Sequence, residues 1–342
     1  MVAFYVFGII DLQDMFPLIM EALKQNKKCW ICFFDCTKVK RQFYHYKSEE
    51  LEQLFSEHDS VIVDLFRPDD KAEHEERFNS FRSEIETIFV QNLSPKKPLW
   101  YPTVADRNVV HLAFWDESKH LTESRIPRNN ILFSVLKREE DRPYYKGLAN
   151  IKHFGDLRLE NLKYVPRNRR TTNSCFIPET YLRTSSMSKD QLKSETNFYN
   201  KLFDRLLDSG YKINWKKREK GYPKQKWASP LDFADSSKIE NIVDKDLHLP
   251  SSIFSLSYNS NLCIVVNDSF VYYDLIKLNS NCVILTTANV RKYKMDEFFN
   301  DYKILDMTEE SGWDRFQSYL EAENKKEVQT PTVAKEILKE CL

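Results

Sequence analysis

Two apolar runs, Leu262–Val266 (LCIVV) and Cys282–Thr286 (CVILT), constrain the fold of this chain more than any other feature. Neither run alternates apolar with polar residues, so both faces of each strand need covering. That is the pattern of strands in a parallel sheet sandwiched between helices. The segments around them supply the helices: a short one before Leu262 and a second over about Ser269–Leu278. In such sheets ligands bind beyond the carboxyl ends of the strands. The polar turn Asn267-Asp268-Ser269 falls at that place and opens the second helix, whose free N–H groups and dipole favour a phosphate. Asp268 or Ser269 equally suits the plain role of helix N-cap, worth about 1 kcal/mol.

The same alternation runs through the N-terminal half. Strands are expected over Val2–Ile10, Cys29–Phe34, Ser60–Phe66, Val109–Phe114 and Ile131–Leu136. Helices are expected over Leu12–Lys24, despite its internal Pro17, from Ser48 through Leu51, Leu54 and Phe55, and over Glu73–Ile88. Tyr164–Thr172 is polar, basic and without period, and reads as a linker. Beyond it come a strand over Ser174–Ile177 and a long helix to about Asp208. That helix opens on the capping box Ser188-Lys189-Asp190-Gln191 and is closed by Gly210. A strand over Tyr211–Lys216 and a helix around Trp313–Glu321 follow, and Val333–Leu342 is expected to fold back on another surface. The expectation is an α/β protein of two Rossmann-like domains facing a central cleft: residues 1–163, a linker over 164–173, residues 174–322, and a tail helix over 323–342.

Composition removes several classes. Lys plus Arg equals Asp plus Glu at 51 each, so no global charge draws the chain to nucleic acid. Glycine occurs only six times, and no GxGxxG or GxxxxGK[ST] loop is present, which argues against ordinary Rossmann dehydrogenases and P-loop enzymes. Seven cysteines, an odd number, fit a reducing compartment better than a disulfide framework. The pair Cys29 and Cys32 lies within a predicted strand, where residues three apart point to opposite faces, a poor geometry for a shared metal. The apolar start is too short to span a bilayer and lacks a basic flank, so a cytoplasmic protein is expected.

Three segments resemble the type B glycosyltransferase family, in the branch of bacterial surface-polysaccharide and teichoic-acid polymerase-like glycosyl and glycosylphosphate transferases. His153–Glu160 (HFGDLRLE) is similar to the family's GxPRxD turn. Tyr211–Gly221 resembles its strand and basic loop, and Leu262–Thr286 its D-x-x-x-T-D-x-S-S nucleotide-binding unit. Here Asp156-Leu157 replaces the family's proline, Phe270 follows Ser269 where a second serine is usual, and no His-Gly pair occurs in the N-terminal half. The resemblance implies transfer of a sugar or sugar phosphate from a nucleotide-activated donor to a glycan or lipid-linked acceptor. It implies no metal or other cofactor and no nucleic acid partner. A nucleotide-sugar epimerase or a non-catalytic binding protein of the same fold are the alternatives.

A leaving diphosphate needs positive charge as its own charge grows. The candidate donor-binding residues are Asp268 and Ser269 at the turn, Lys216, Arg218 and Lys220 in the basic loop, Arg158, and Asp274 for a ribose hydroxyl. Each has a plainer role: a solvated loop for the lysines, a partner in Glu160 or Asp156 for Arg158, and solvent for Asp274. The acceptor's proton needs a base. Asp11, just past the first strand, and Asp116, beside Glu117 after the Val109 strand, are the candidates; helix capping is the plain role of Asp11. His111, His153 and His248 are weaker choices, and Asp244-Lys245-Asp246 matches DxD only by letters. Lys38–Lys47 mixes basic and aromatic residues, as an ordinary loop does; the same mixture suits a lipid-linked acceptor at the inner membrane face or, by charge and stacking, nucleic acid.

Overall fold

The structure is a computed structural model that describes residues 1–6, 9–34, 52–67, 70–91, 108–113, 131–134, 151–155, 157–164, 173–182, 184–217, 228–243, 253–267, 271, 275, 281–288, 304–321 and 332–342. The chain forms two compact units, Met1–Lys163 with Thr330–Leu342, and Tyr164–Gln329. Both are α/β with an all-parallel described sheet, the arrangement of a Rossmann-like domain.

In the first unit β1 (Val2–Val6) leads into α1 (Ile9–Lys24), then β2 (Cys29–Phe34), β3 (Val61–Phe66), α2 (Lys71–Phe81), β4 (Thr87–Gln91), β5 (Asn108–Ala113), β6 (Ile131–Ser134) and β7 (Ile151–His153). The strand order is β3-β2-β1-β4-β5-β6-β7. Strands β1 and β2 are buried on both faces: every residue of Val2–Val6 and of Cys29–Phe34 is inside. Cys29 and Cys32 lie on opposite faces of β2, and burial pushes the Cys29 thiol up to about 12.

The first strand stops at Val6, short of the expected Ile10, because α1 already begins at Ile9. The expected helix over Glu73–Ile88 also divides. It ends at Phe81, where the Arg82 N–H turns back to Asn79 O, and Thr87–Gln91 becomes β4 between β1 and β5. Residues Ile85 and Ile88 are buried as expected, but Ile88 is buried from a strand. Pro17 sits inside α1 without ending it. A proline leaves the carbonyl four residues back without its helical donor; here that carbonyl, Gln13 O, accepts from Asn161 Nδ2 at 3.0 Å.

One face of this sheet packs on α2 through an aromatic cluster around His74. The imidazole is fully buried, stacks on Trp30 and is hydrogen-bonded through Nε2 to the Tyr5 hydroxyl at 2.9 Å. Burial drives its pKa from 6.5 down to about 4, against the opposing pull of Glu75 and Asp64. The sign follows from proton counting. Between pH 6.5 and about 4 the unfolded chain binds a proton at His74 that the folded chain refuses, so stability falls as pH falls through that window. At about 1.4 kcal/mol per pH unit the contribution is about 3 kcal/mol. A His74→Gln variant is expected to show a flatter decline in urea midpoint from pH 7 to pH 4.5 than the natural protein. Parallel declines would refute a neutral, buried His74.

In the second unit β8 (Ser174–Pro178) leads into α3 (Lys189–Asp208), β9 (Lys212–Lys216), β10 (Asn241–Val243), α4 (Ile253–Asn259), β11 (Leu262–Val266), β12 (Cys282–Thr286), β13 (Ile304–Asp306) and α5 (Glu310–Glu321). Their order is β10-β9-β8-β11-β12-β13. The Ser188 capping box forms in full: Gln191 N donates to Ser188 Oγ at 3.2 Å and Ser188 N to Gln191 Oε1 at 2.8 Å. Gly210 closes α3 with φ of 77°, the left-handed conformation that favours glycine. One sheet face buries Cys175, Ile177, Trp215 and Ile264 with Tyr199 and Phe203 of α3 and Phe316 of α5. The other buries Phe176, Cys263, Val265 and Ile284.

The last helix, α6 (Val333–Cys341), belongs to the first unit, where it packs on α1. Both ends are held by side chains. Glu160 Oε1 accepts from Ala334 N at 2.6 Å, a carboxylate on the positive end of the helix dipole. Thr87 Oγ1 donates to Cys341 O at 3.1 Å. No described helix is long and apolar enough to cross a membrane.

Candidate functional site

A parallel sheet offers a ligand its carboxyl edge, and most readily the point where crossovers leave in opposite directions. In the second unit that point lies between β8 and β11, which pair directly although α3, β9 and β10 lie between them in sequence. The residues leaving the strands there are Glu179 and Thr180 after β8, Lys216 and Lys217 at β9, Asn267 after β11, and Thr287 after β12.

Glu179 is buried and well held. Its N–H donates to Lys216 O at 2.9 Å, and its Oε1 accepts from Trp215 Nε1 at 3.4 Å and from the Ser229 hydroxyl. Thr180, the next residue, differs: its hydroxyl oxygen is buried and has no hydrogen-bond partner among the described residues. An unpaired buried hydroxyl costs about 1–3 kcal/mol, so a donor left idle at the switch point fits a ligand oxygen. Lys216 lies 5% exposed, and its ammonium donates to Lys217 O at 2.9 Å. The β11 and β12 exits are joined by side chains. Asn267 Oδ1 accepts from Thr287 N at 2.9 Å, and Asn267 Nδ2 donates to Thr287 Oγ1 at 3.2 Å.

The first unit has the corresponding point between β1 and β4. Asp11 stands there in the first turn of α1, half-buried. One turn on, Asp14 is buried and takes Arg158 in a two-pronged ion pair, Nε to Oδ1 and Nη2 to Oδ2, the latter at 2.8 Å. Among the described residues Arg158 pairs with Asp14, 144 positions away, and not with Glu160; Asp156 lies outside the described residues. Glu160 instead holds α6 and, at 2.6 Å, Lys163.

Of the residues singled out in the sequence, the structure places Asp11 and Arg158 in the first unit and Lys216 at the carboxyl edge of the second. Asp116, Glu117, Arg218, Lys220, Asp268, Ser269 and Asp274 lie outside the described residues, as do the Lys38–Lys47 segment, the Asp244–Asp246 triplet and His248. His111 and His153 belong to β5 and β7. Sequence reading passed over Glu179, Thr180 and Thr287. All three lie within two residues of the end of an apolar strand, where the carboxyl-edge rule applied to every strand points.

No protein-family model matches the chain, and no curated protein does. Solved structures do. A protein from Listeria monocytogenes assigned as a UDP-N-acetylglucosamine 2-epimerase aligns with a TM-score of 0.61 at 12% identity, over 98% of this chain and 94% of that one. S. aureus MnaA, solved with UDP, gives 0.57 at 11% identity over 98% and 94%. The Neisseria meningitidis UDP-GlcNAc 2-epimerase bound to UDP-GlcNAc gives 0.56 at 12% identity over 99% of both chains. At such identities the likeness is one of fold: two Rossmann-like domains of the type B glycosyltransferase-like kind, matched along the whole chain.

Proposed function

We propose that this protein is an enzyme of nucleotide-sugar chemistry that seats a uridine diphosphate sugar along the carboxyl edge of the Tyr164–Gln329 unit. The observation that carries the reading is the buried Thr180 hydroxyl, without a partner among the described residues, at the β8–β11 switch point. Similar structures solved with UDP and UDP-GlcNAc support the choice of nucleotide. In this reading Thr180 donates to a diphosphate oxygen, and Lys216, with Arg218 and Lys220, offsets the charge that grows as the diphosphate departs. Asp268 and Ser269 are the proposed contacts to the diphosphate and Asp274 the proposed contact to a ribose hydroxyl. Arg158 serves by holding Asp14 and so the start of α1, and Asp11 or Asp116 is the base. No metal is required by this set of groups.

Transfer of the sugar to a glycan or lipid-linked acceptor is the reaction drawn from the sequence, with peripheral membrane contact where the acceptor is a lipid. Epimerisation at C2 is the second reading, favoured by the epimerase structures above. Calorimetry with UDP, CDP, CMP, GDP and dTDP, with and without magnesium, tests the common part. Tight binding of UDP without metal is expected. Thr180→Val is expected to weaken it about tenfold, near 1.4 kcal/mol, while leaving the melting temperature equal or higher, since the variant no longer buries an unpaired hydroxyl. Absence of binding by every nucleotide would dismiss the reading. Incubation with UDP-GlcNAc then separates the reactions: a C2 epimer formed without acceptor indicates epimerisation, and UDP release that requires an acceptor indicates transfer.

A further inference from the structure

Asn267 has a backbone φ of 59°, the left-handed region, although it is not glycine. It is 5% exposed and its amide is turned inward onto Thr287, itself 6% exposed. Besides the two contacts given above, Thr287 Oγ1 lies 3.3 Å from Asn267 Oδ1, and Asn267 N donates to Leu285 O at 2.8 Å. The next strand is tied on as well, with Met307 N donating to Thr286 O at 2.9 Å and Thr286 Oγ1 to Leu305 O at 3.3 Å. The exits of β11, β12 and β13 are thus locked together.

A strand exit in an α/β sheet needs neither a left-handed residue nor a buried side-chain amide. A non-glycine residue held in that region costs about 1–3 kcal/mol and persists where its surroundings over-determine it, typically at functional sites. Asparagine tolerates the conformation better than most residues because its short polar side chain bonds locally. Here the side chain spans to Thr287, at the exit of the neighbouring strand. The span to Thr287 therefore holds Asn267 in this conformation at the end of β11.

We propose that Asn267 is a positioning residue for nucleotide binding, acting through its clamp on Thr287 to preorganise the carboxyl edge beside the switch point. The proposal rests on the nucleotide reading given above. Preorganisation of this kind raises affinity by removing the ordering cost from the binding step. The two parts of the device are separable. Asn267→Gly keeps access to the left-handed backbone and removes the clamp, Asn267→Ala removes both, and Thr287→Val keeps the Thr287 N–H contact and removes the hydroxyl.

Calorimetry with UDP on the full chain, followed by steady-state turnover of UDP-GlcNAc where turnover is found, tests it. The natural protein is expected to bind UDP. Asn267→Ala is expected to weaken that binding at least about tenfold, and Asn267→Gly and Thr287→Val less. In turnover KM should rise while kcat stays within about threefold, the pattern of lost uniform binding. A purely structural residue would instead lower the melting temperature and the active fraction and leave KM alone. Unchanged UDP affinity in all three variants, with a natural protein that binds UDP, would overturn the positioning role while sparing the nucleotide reading. A natural protein that binds no nucleotide would remove that reading and this inference with it.

Discussion

Asp14→Ala is expected to destabilise the Met1–Lys163 unit by about 3–5 kcal/mol, the range for breaking one side of a buried ion pair. Asp14 and Arg158 side chains are 2% and 7% exposed, so the guanidinium left behind cannot recover its hydration without opening the fold. The damage should spread further. The backbone of Arg158 accepts from Asn161 Nδ2, which also serves the Gln13 carbonyl freed by Pro17, and Glu160 of the same turn holds the start of α6. A domain is stable by only about 5–15 kcal/mol, so the variant should unfold at far lower urea than the natural chain. Replacing both members by apolar residues, Asp14→Leu with Arg158→Met, should restore most of the loss, because the desolvation penalty disappears with the pair. A single Asp14→Ala midpoint within experimental error of the natural one would mean that the pair contributes nothing.

Gly312→Ala is expected to destabilise the Tyr164–Gln329 unit by more than the roughly 1–3 kcal/mol typical of overpacking. Helix propensity taken alone predicts the opposite sign, since alanine is favoured over glycine within a helix by about 1 kcal/mol. The reversal comes from a neighbour: a Cβ at position 312 would lie 1.8 Å from Asp306 O and 2.8 Å from Asp306 C. Those are backbone atoms at the end of β13, unable to swing aside as a side-chain tip would. Either α5 lifts from the sheet, exposing Trp313 and Phe316, or β13 gives up its pairing to β12. Thermal unfolding followed by circular dichroism measures the effect. A melting temperature unchanged or raised would show that α5 can shift without loss.

Strands β2, β11 and β12 were legible to the residue, because a contiguous apolar run must be buried on both faces wherever it goes. The α3 capping box and the Gly210 closure were legible for a related reason: donor, acceptor and left-handed residue all lie within a few positions of one another. The strands β10 and β13 escaped notice. Each has only three residues, and each is a strand by virtue of the neighbour it pairs with, β9 or β12. Strand β4 was absorbed into a helix for want of a break, since Ile85 and Ile88 continue the helical spacing of Phe78 and Phe81. At the site, the turn after Val266 reads as the start of a helix, whereas Glu179 and Thr180 carry no helix-start cue and are marked only by their place past the end of an apolar strand.

What the amino-acid sequence determined by itself is the class of the fold: alternating buried runs and amphipathic helices leave little besides parallel sheets covered on both faces, with ligands at the carboxyl edge. The tertiary structure alone decided who meets whom. Asp14 and Arg158 are 144 positions apart, Glu160 and Ala334 are 174 apart, and Asn267 and Thr287 lie on separate strands. Periodicity and capping are short-range properties, carried by residues a turn or a strand apart. Charge pairing, helix docking and the steric limit at Gly312 depend on distances in space, which strand order creates and which no spacing along the chain encodes.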